Sequence, residues 1–322
     1  MAPLTTMFAS LSARAQGFAR LLTLVLTGTP STFTAMTMSS SSYWRAVTYG
    51  NGYFVAVAGN PSTRAAYSAN GTSWTASTLP SSQYWGNVTY GNGYFVAVQD
   101  TSTANAVAYS TNGRTWTAST MPSSTAWHGV IYGNGYFVAV SNSTPGAYST
   151  NGTSWTASTM PSASDWQGIA YGLIGGTGYF VAVQNSITTA GAYSTNGTTW
   201  TASTMPSAAQ WVDVTYGNGY FVAVADDPTT AGAYSTNGTS WTASTMPSSS
   251  AWVNVTYGNG YFVAVVAGPS TVGAYSTNGT TWTASTLPNA DWQGVTYNNG
   301  YFVAVAYNTS TGGYFAFTRN YV

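Results

Sequence analysis

The sequence predicts an all-β protein, a seven-bladed β-propeller of four-stranded antiparallel blades whose last blade is closed by an N-terminal strand. Three observations predict it. A tryptophan followed by an apolar run recurs at Trp44, Trp85, Trp127, Trp166, Trp211, Trp252 and Trp292, at spacings of 41, 42, 39, 45, 41 and 40 residues. Each repeat carries Asn-Gly turns between runs rich in aromatic and β-branched residues, the strongest short-range hairpin signal. The last repeat runs out one strand short, and a matching strand stands ahead of the first. A repeat of about 40 residues with four strands is the length of a propeller blade.

In chain order, residues 1–30 precede the repeat. Leu4, Phe8, Leu11, Ala15, Phe18, Leu22 and Val25 recur at intervals of four and three residues, which places them on one face of a short amphipathic helix. Gly28 and Pro30 would stop it. Arg14 and Arg20 fall mid-segment, unlike the leading charges of a secretory signal. Such a face expects a partner: its own propeller, a second copy of the chain, or another protein of a larger particle, with a membrane surface the least favoured. Residues 31–322 form the propeller.

The strand Phe33-Thr34-Ala35-Met36-Thr37-Met38 precedes Trp44 as Trp241-Thr242-Ala243-Ser244-Thr245-Met246 precedes Trp252. It therefore completes the last repeat, which ends at Gly313-Tyr314-Phe315-Ala316-Phe317. Phe33, Met38 and Tyr314 are the ring-closure residues of this reading, and closure would hide edges that an incomplete ring exposes. Within a repeat, read at Trp211, strand A is Trp211 to Tyr216. Gly217-Asn218-Gly219 turns the chain and Tyr220 to Val224 is strand B. After a variable loop, Ala233 to Thr236 is strand C, Asn237-Gly238 turns again, and Trp241 to Met246 is strand D. Both Asn-Gly pairs are read as type I′ turns with positive φ at both residues. Strand B is apolar on both faces, as expected where each sheet lies between two others; strand D, mostly Thr and Ser, is the outer edge.

Composition narrows the function. The chain has six Arg, six Asp, one His, no Cys, no Lys and no Glu. A surface this neutral offers nucleic acid no basic footprint. Disulfides and thiolate metal sites are excluded, and no stretch reaches the 18 or so apolar residues of a spanning helix. The A–B and C–D turns share one end of the ring and are nearly uniform. The other end, with the B–C and D–A loops, carries the variation and much of the charge, so Arg64, Asp100, Asp165, Asp226, Asp227 and Asp291 are the candidate ligand-face residues. Asp226-Asp227 is read as a solvated turn rather than a metal site. His128 has no Cys, Glu or second His to work with and is read as structural. No cofactor or metal is expected.

The segments Tyr67-Ser68-Ala69-Asn70-Gly71-Thr72-Ser73-Trp74 and Tyr193-Ser194-Thr195-Asn196-Gly197-Thr198-Thr199-Trp200 resemble the Asp-box hairpin of sialidase-like propellers, with Asn for Asp and a turn one residue shorter. That resemblance implies a hairpin and no activity, since sialidase chemistry would need an arginine triad and a Tyr–Glu pair. The whole repeat, over residues 33 to 322, resembles the Thr/Asn-rich propeller repeats of bacteriophage virion and tail-fibre proteins. It implies a non-enzymatic structural or assembly protein on the surface of an extracellular particle, virion or filament, joined to itself or to other particle proteins through its helix. The alternative is an adhesin that binds cell-surface glycans on the variable loop face.

Overall fold

A computed structural model describes residues 7–8, 23–102, 105–227, 229–307, 309–316 and 318–321. They form the repeated four-stranded antiparallel blades of a β-propeller, with no helix among the described residues. The repeat at Trp211 is representative: strands Trp211–Gly217, Tyr220–Ala225, Thr229–Ser235 and Thr242–Ser250 pair each with the next. Among the described residues five sheets have four strands, one has three, and one has seven, because Thr283–Asn298 runs unbroken from strand D of one repeat into strand A of the next. The seven-stranded sheet ends where Thr309–Ala316 pairs with Thr34–Ser42, Thr311 opposite Thr37 and Tyr314 opposite Thr34. Phe33 is buried beside Trp292 and Phe302, and Met38 beside Trp44 and Phe54; Tyr314 packs against the second group.

The repeated residues explain the packing. Strand B and the first tryptophan form the core of each blade, and Trp211 and Phe221 through Val224 are all 0% exposed. The indole N–H of Trp211 donates to the Ser207 carbonyl at 3.2 Å, which pins the D–A connection. Blades stack through a glycine at the end of strand A. A Cβ on Gly217 would lie 2.0 Å from Cγ of Tyr257 in the following repeat, and the same contact recurs at Gly50, Gly91, Gly133, Gly172 and Gly258. The glycine lets a tyrosine ring lie flat against backbone.

The two Asn-Gly turns differ. In the A–B turn Asn218 and Gly219 both have positive φ, 50° and 83°, as a type I′ turn requires. In the C–D turn only Gly238 does. There Asn237 Oδ1 accepts the amide N–H groups of Thr239 and Ser240, each at 2.9 Å, and Ser235 Oγ accepts that of Gly238 at 2.9 Å. The side chain closes this turn, as Asn does in an Asx-turn, so the expectation of a second type I′ turn is corrected.

The segment before the repeat also differs from expectation where it is described. Phe8 lies in the strand Met7–Phe8, and Val25 in the strand Thr23–Thr27, which pairs with Thr318–Tyr321. Thr23-Leu24-Val25-Leu26-Thr27 is a short apolar run with three β-branched residues, Thr23, Val25 and Thr27, which suits an extended strand. Leu4, Leu11, Phe18 and Leu22 lie outside the described residues.

Candidate functional site at the channel mouth

Each strand A begins with a β-bulge. Trp211 pairs with Ala225 and Asp213 with Val224, so Val212 is an extra residue, and the register shifts at the same place in every repeat. Bulges re-aim side chains and are common beside active sites. Here the Trp before the bulge is constant while the two residues after it vary: Arg45-Ala46, Gly86-Asn87, His128-Gly129, Gln167-Gly168, Val212-Asp213, Val253-Asn254 and Gln293-Gly294. Each pair contains one polar side chain. Arg45, Asn87, His128, Gln167, Asp213, Asn254 and Gln293 all line one cavity of about 240 Å³ at the B–C and D–A end of the central channel.

Sterics set the form of each pair. A Cβ on Gly129 would lie 2.5 Å from the Gln167 carbonyl oxygen, one on Gly168 2.6 Å from Asp213 Cα, and one on Gly294 3.0 Å from the Arg45 carbonyl oxygen. Where the first residue is a large polar one, the second must be small because the next repeat's backbone lies against it.

Side chains from different repeats are linked around the wall. His128 Nε2 lies 2.7 Å from Asp100 Oδ1 and its Nδ1 2.9 Å from Asp165 Oδ1. Burial opposes the imidazolium, but the hydrogen bonds to Asp100 and Asp165, together with their negative charges, outweigh it and raise the pKa from 6.5 to about 9. His128 is therefore cationic at neutral pH, with both ring nitrogens donating. Nδ1 also lies 3.0 Å from Gln167 Nε2; a protonated ring requires this amide to be turned so that its oxygen faces Nδ1, an assignment set by the hydrogen-bond network.

Asp213 Oδ2 accepts from Asn254 Nδ2 and from the Val255 amide, both at 2.8 Å. Asn254 Oδ1 in turn accepts from the Val295 amide at 2.8 Å. Burial pushes the Asp213 carboxyl up to about 7, against hydrogen bonds from the Val255 and Val214 amides that favour the carboxylate. On the other side, Gln293 Oε1 accepts from Arg45 Nη1 at 2.7 Å, and Gln293 Nε2 donates to Asp291 Oδ1 at 2.9 Å. Asp226 is half-buried on the same wall, its carboxyl raised by burial in spite of Arg45, with Asp227 and Asp291 adding to the rise.

Of the residues expected on the ligand face, Asp100 and Asp165 clamp His128, Asp226 lines the cavity, and Asp291 positions Gln293. Asp227 is exposed next to Asp226. Arg64 is exposed and donates to the Ser41 carbonyl at 3.1 Å, away from the cavity. The bulge residues were not among the expected ones; His128, read as structural, is buried and held between two aspartates. All six aspartates of the chain lie at this end of the blades. Among the described residues no three His, Cys, Asp or Glu converge to hold a metal ion.

No protein-family model and no curated protein matches the chain. Solved structures do. Virginiamycin B lyase from Staphylococcus aureus is 14% identical, matches 88% of this chain and 98% of its own, and has a TM-score of 0.76. A catalytically inactive histidine-to-alanine variant of that lyase, solved with quinupristin, is 14% identical over 88% of this chain and 99% of its own, with a TM-score of 0.75. YCF48 bound to D1 peptide is 13% identical over 90% and 96%, with a TM-score of 0.67. At these identities the likeness shows the β-propeller fold alone. The sialidase-type and particle-protein resemblances are not what it shows. The expectation of a non-enzymatic particle subunit or adhesin is corrected by the lyases, whose chemistry is carried on this same scaffold.

Proposed function

We propose that the chain is an acid–base enzyme acting on a small polar molecule seated at the channel mouth. The observation that carries this reading is the bulge pair: a constant scaffold delivers one polar side chain per repeat to one cavity, and those side chains differ. A purely structural collar would have no use for such asymmetry. In this reading the seven repeats are seven blades around the channel, the last completed by the N-terminal strand.

Paired titratable groups whose surroundings drive their pKa values apart mark acid–base assignments. Asp213, near 7, is populated in both forms at neutral pH and is suited to take a proton from the substrate. Arg45, which lines the same cavity, supplies positive charge for the anion left behind, while the charge of His128 is held between Asp100 and Asp165. Gln167 and Asn254 orient His128 and Asp213. The inactive lyase variant, which lacks a histidine, supports histidine chemistry on this scaffold.

Ligand-observed NMR with a library of small polar fragments tests the reading. Fragments are expected to bind the full chain and to lose binding in His128→Gln. Bound fragments with an acidic C–H are expected to exchange it in D2O at a rate that falls by about a hundredfold or more in Asp213→Asn, the usual range for a general base. Fragments that bind both variants as well as the parent chain, or a complete lack of exchange, would overturn the proposal.

A further inference from the structure

Arg45 and Asp226 face the same cavity with opposite charges and do not meet. Among the described residues Arg45 makes no ion pair within 4 Å, although its charge is close enough to be felt by Asp226. The guanidinium is nevertheless held in place. The Arg45 stem lies over Gly59, where an added Cβ would come 2.9 Å from Arg45 Cβ. Arg45 Nη1 donates to Gln293 Oε1 at 2.7 Å, Gln293 donates to Asp291 at 2.9 Å, and Asp291 accepts the Gly268 amide at 2.7 Å. A backbone amide thus anchors a relay ending on the arginine, which leaves the rest of its planar donor fork open. Asp226 is anchored through its backbone, whose N–H donates to the Gln210 carbonyl at 2.9 Å. Its carboxylate accepts no hydrogen bond among the described residues.

Two opposite and unjoined charges on one wall select a ligand by exclusion. A simple anion drawn to Arg45 is repelled by Asp226, Asp227 and Asp291. A simple cation drawn to the aspartates is repelled by Arg45. A molecule bearing both charges satisfies both sides, and the fork of Arg45 matches a carboxylate bidentately. The cavity of about 240 Å³ has room for a molecule the size of one amino acid.

We propose that the ligand of the channel mouth is a zwitterion of amino-acid size, with its carboxylate on Arg45 and its ammonium on Asp226. This rests on the reading of the cavity as the substrate site and names the substrate's chemical class.

The test uses the full chain, saturation-transfer NMR and calorimetry, with the common L-amino acids as probes beside their N-acetyl and methyl-ester derivatives. At least one free amino acid is expected to bind, and removing either charge to weaken it about tenfold or more, as the loss of one charge-assisted contact implies. Arg45→Gln should abolish discrimination against the methyl ester, and Asp226→Asn discrimination against the N-acetyl form. Arg45→Lys, which keeps charge without the fork, should fall between. The proposal is overturned if no free amino acid binds, or if the derivatives bind equally well, with each variant's fold checked by circular dichroism. If polar fragments still bind and depend on His128, only the zwitterion assignment fails; if they too do not bind, the site itself fails.

Discussion

The clamp on His128 makes a quantitative claim about stability. Its imidazolium is bound by Asp100 and Asp165 with only 10% of its side chain exposed, and its pKa rises from 6.5 to about 9. Since the folded-state value is the higher one, the contribution is complete below pH 6.5 and is lost as pH rises through about 9. By linkage this amounts to about 3 kcal/mol, with a steepest slope of about 1.4 kcal/mol per pH unit inside that window. Urea unfolding of the full chain at a series of pH values measures it. Above about pH 8, where Asp213 has largely finished titrating, the parent is expected still to lose stability and His128→Gln to be flat. A parent profile flat there, or a slope there that survives in His128→Gln, would refute the clamp. So would an imidazole titration by 15N NMR with its midpoint at or below 6.5.

Three further outcomes follow from other parts of the molecule. Asp213, raised from 3.8 to about 7, should lower stability as pH rises from about 4 through 7, and Asp213→Asn should remove that trend; an unchanged profile would show that the carboxyl is not desolvated. Gly217→Ala would place a Cβ 2.0 Å from Tyr257 Cγ and should cost on the order of 1–3 kcal/mol as overpacking; an unchanged Tm in calorimetry would argue against the glycine–tyrosine stack. Asn237→Ala leaves the amides of Thr239 and Ser240 without their acceptor and should cost about 1–2 kcal/mol in chemical denaturation; a neutral result would mean the turn is held elsewhere.

The scaffold was legible because it is local and repeated. Trp211, the Tyr220–Val224 run and the two Asn-Gly turns each state their structure within a few residues, and seven copies average out the noise. The strand at Phe33 was legible by comparison with its counterparts in the other repeats. The site was hidden by distance: His128 meets Asp100 and Asp165 across two neighbouring repeats, which only the ring brings together. A signal was nonetheless present, since Arg45, His128 and Asp213 stand in the short variable gap between a constant Trp and a constant Tyr. Ahead of the repeat, Val25 of the four-and-three stripe falls in the strand Thr23–Thr27, whose partner, Thr318–Tyr321, lies at the far end of the chain, out of reach of a local pattern.

Repeated bulges also bear on how such a site could arise. Copies of one ancestral repeat would have given a collar of identical groups, a rotationally symmetric pore presenting the same chemistry on every side. Changing two residues per copy breaks that symmetry and gives the pocket chemically distinct walls without altering the buried tryptophans or the hairpins. The freedom is bounded: while Gly129, Gly168 and Gly294 lie against the next repeat's backbone, a second large side chain in those pairs is forbidden. Divergence is therefore steered toward one functional group per blade.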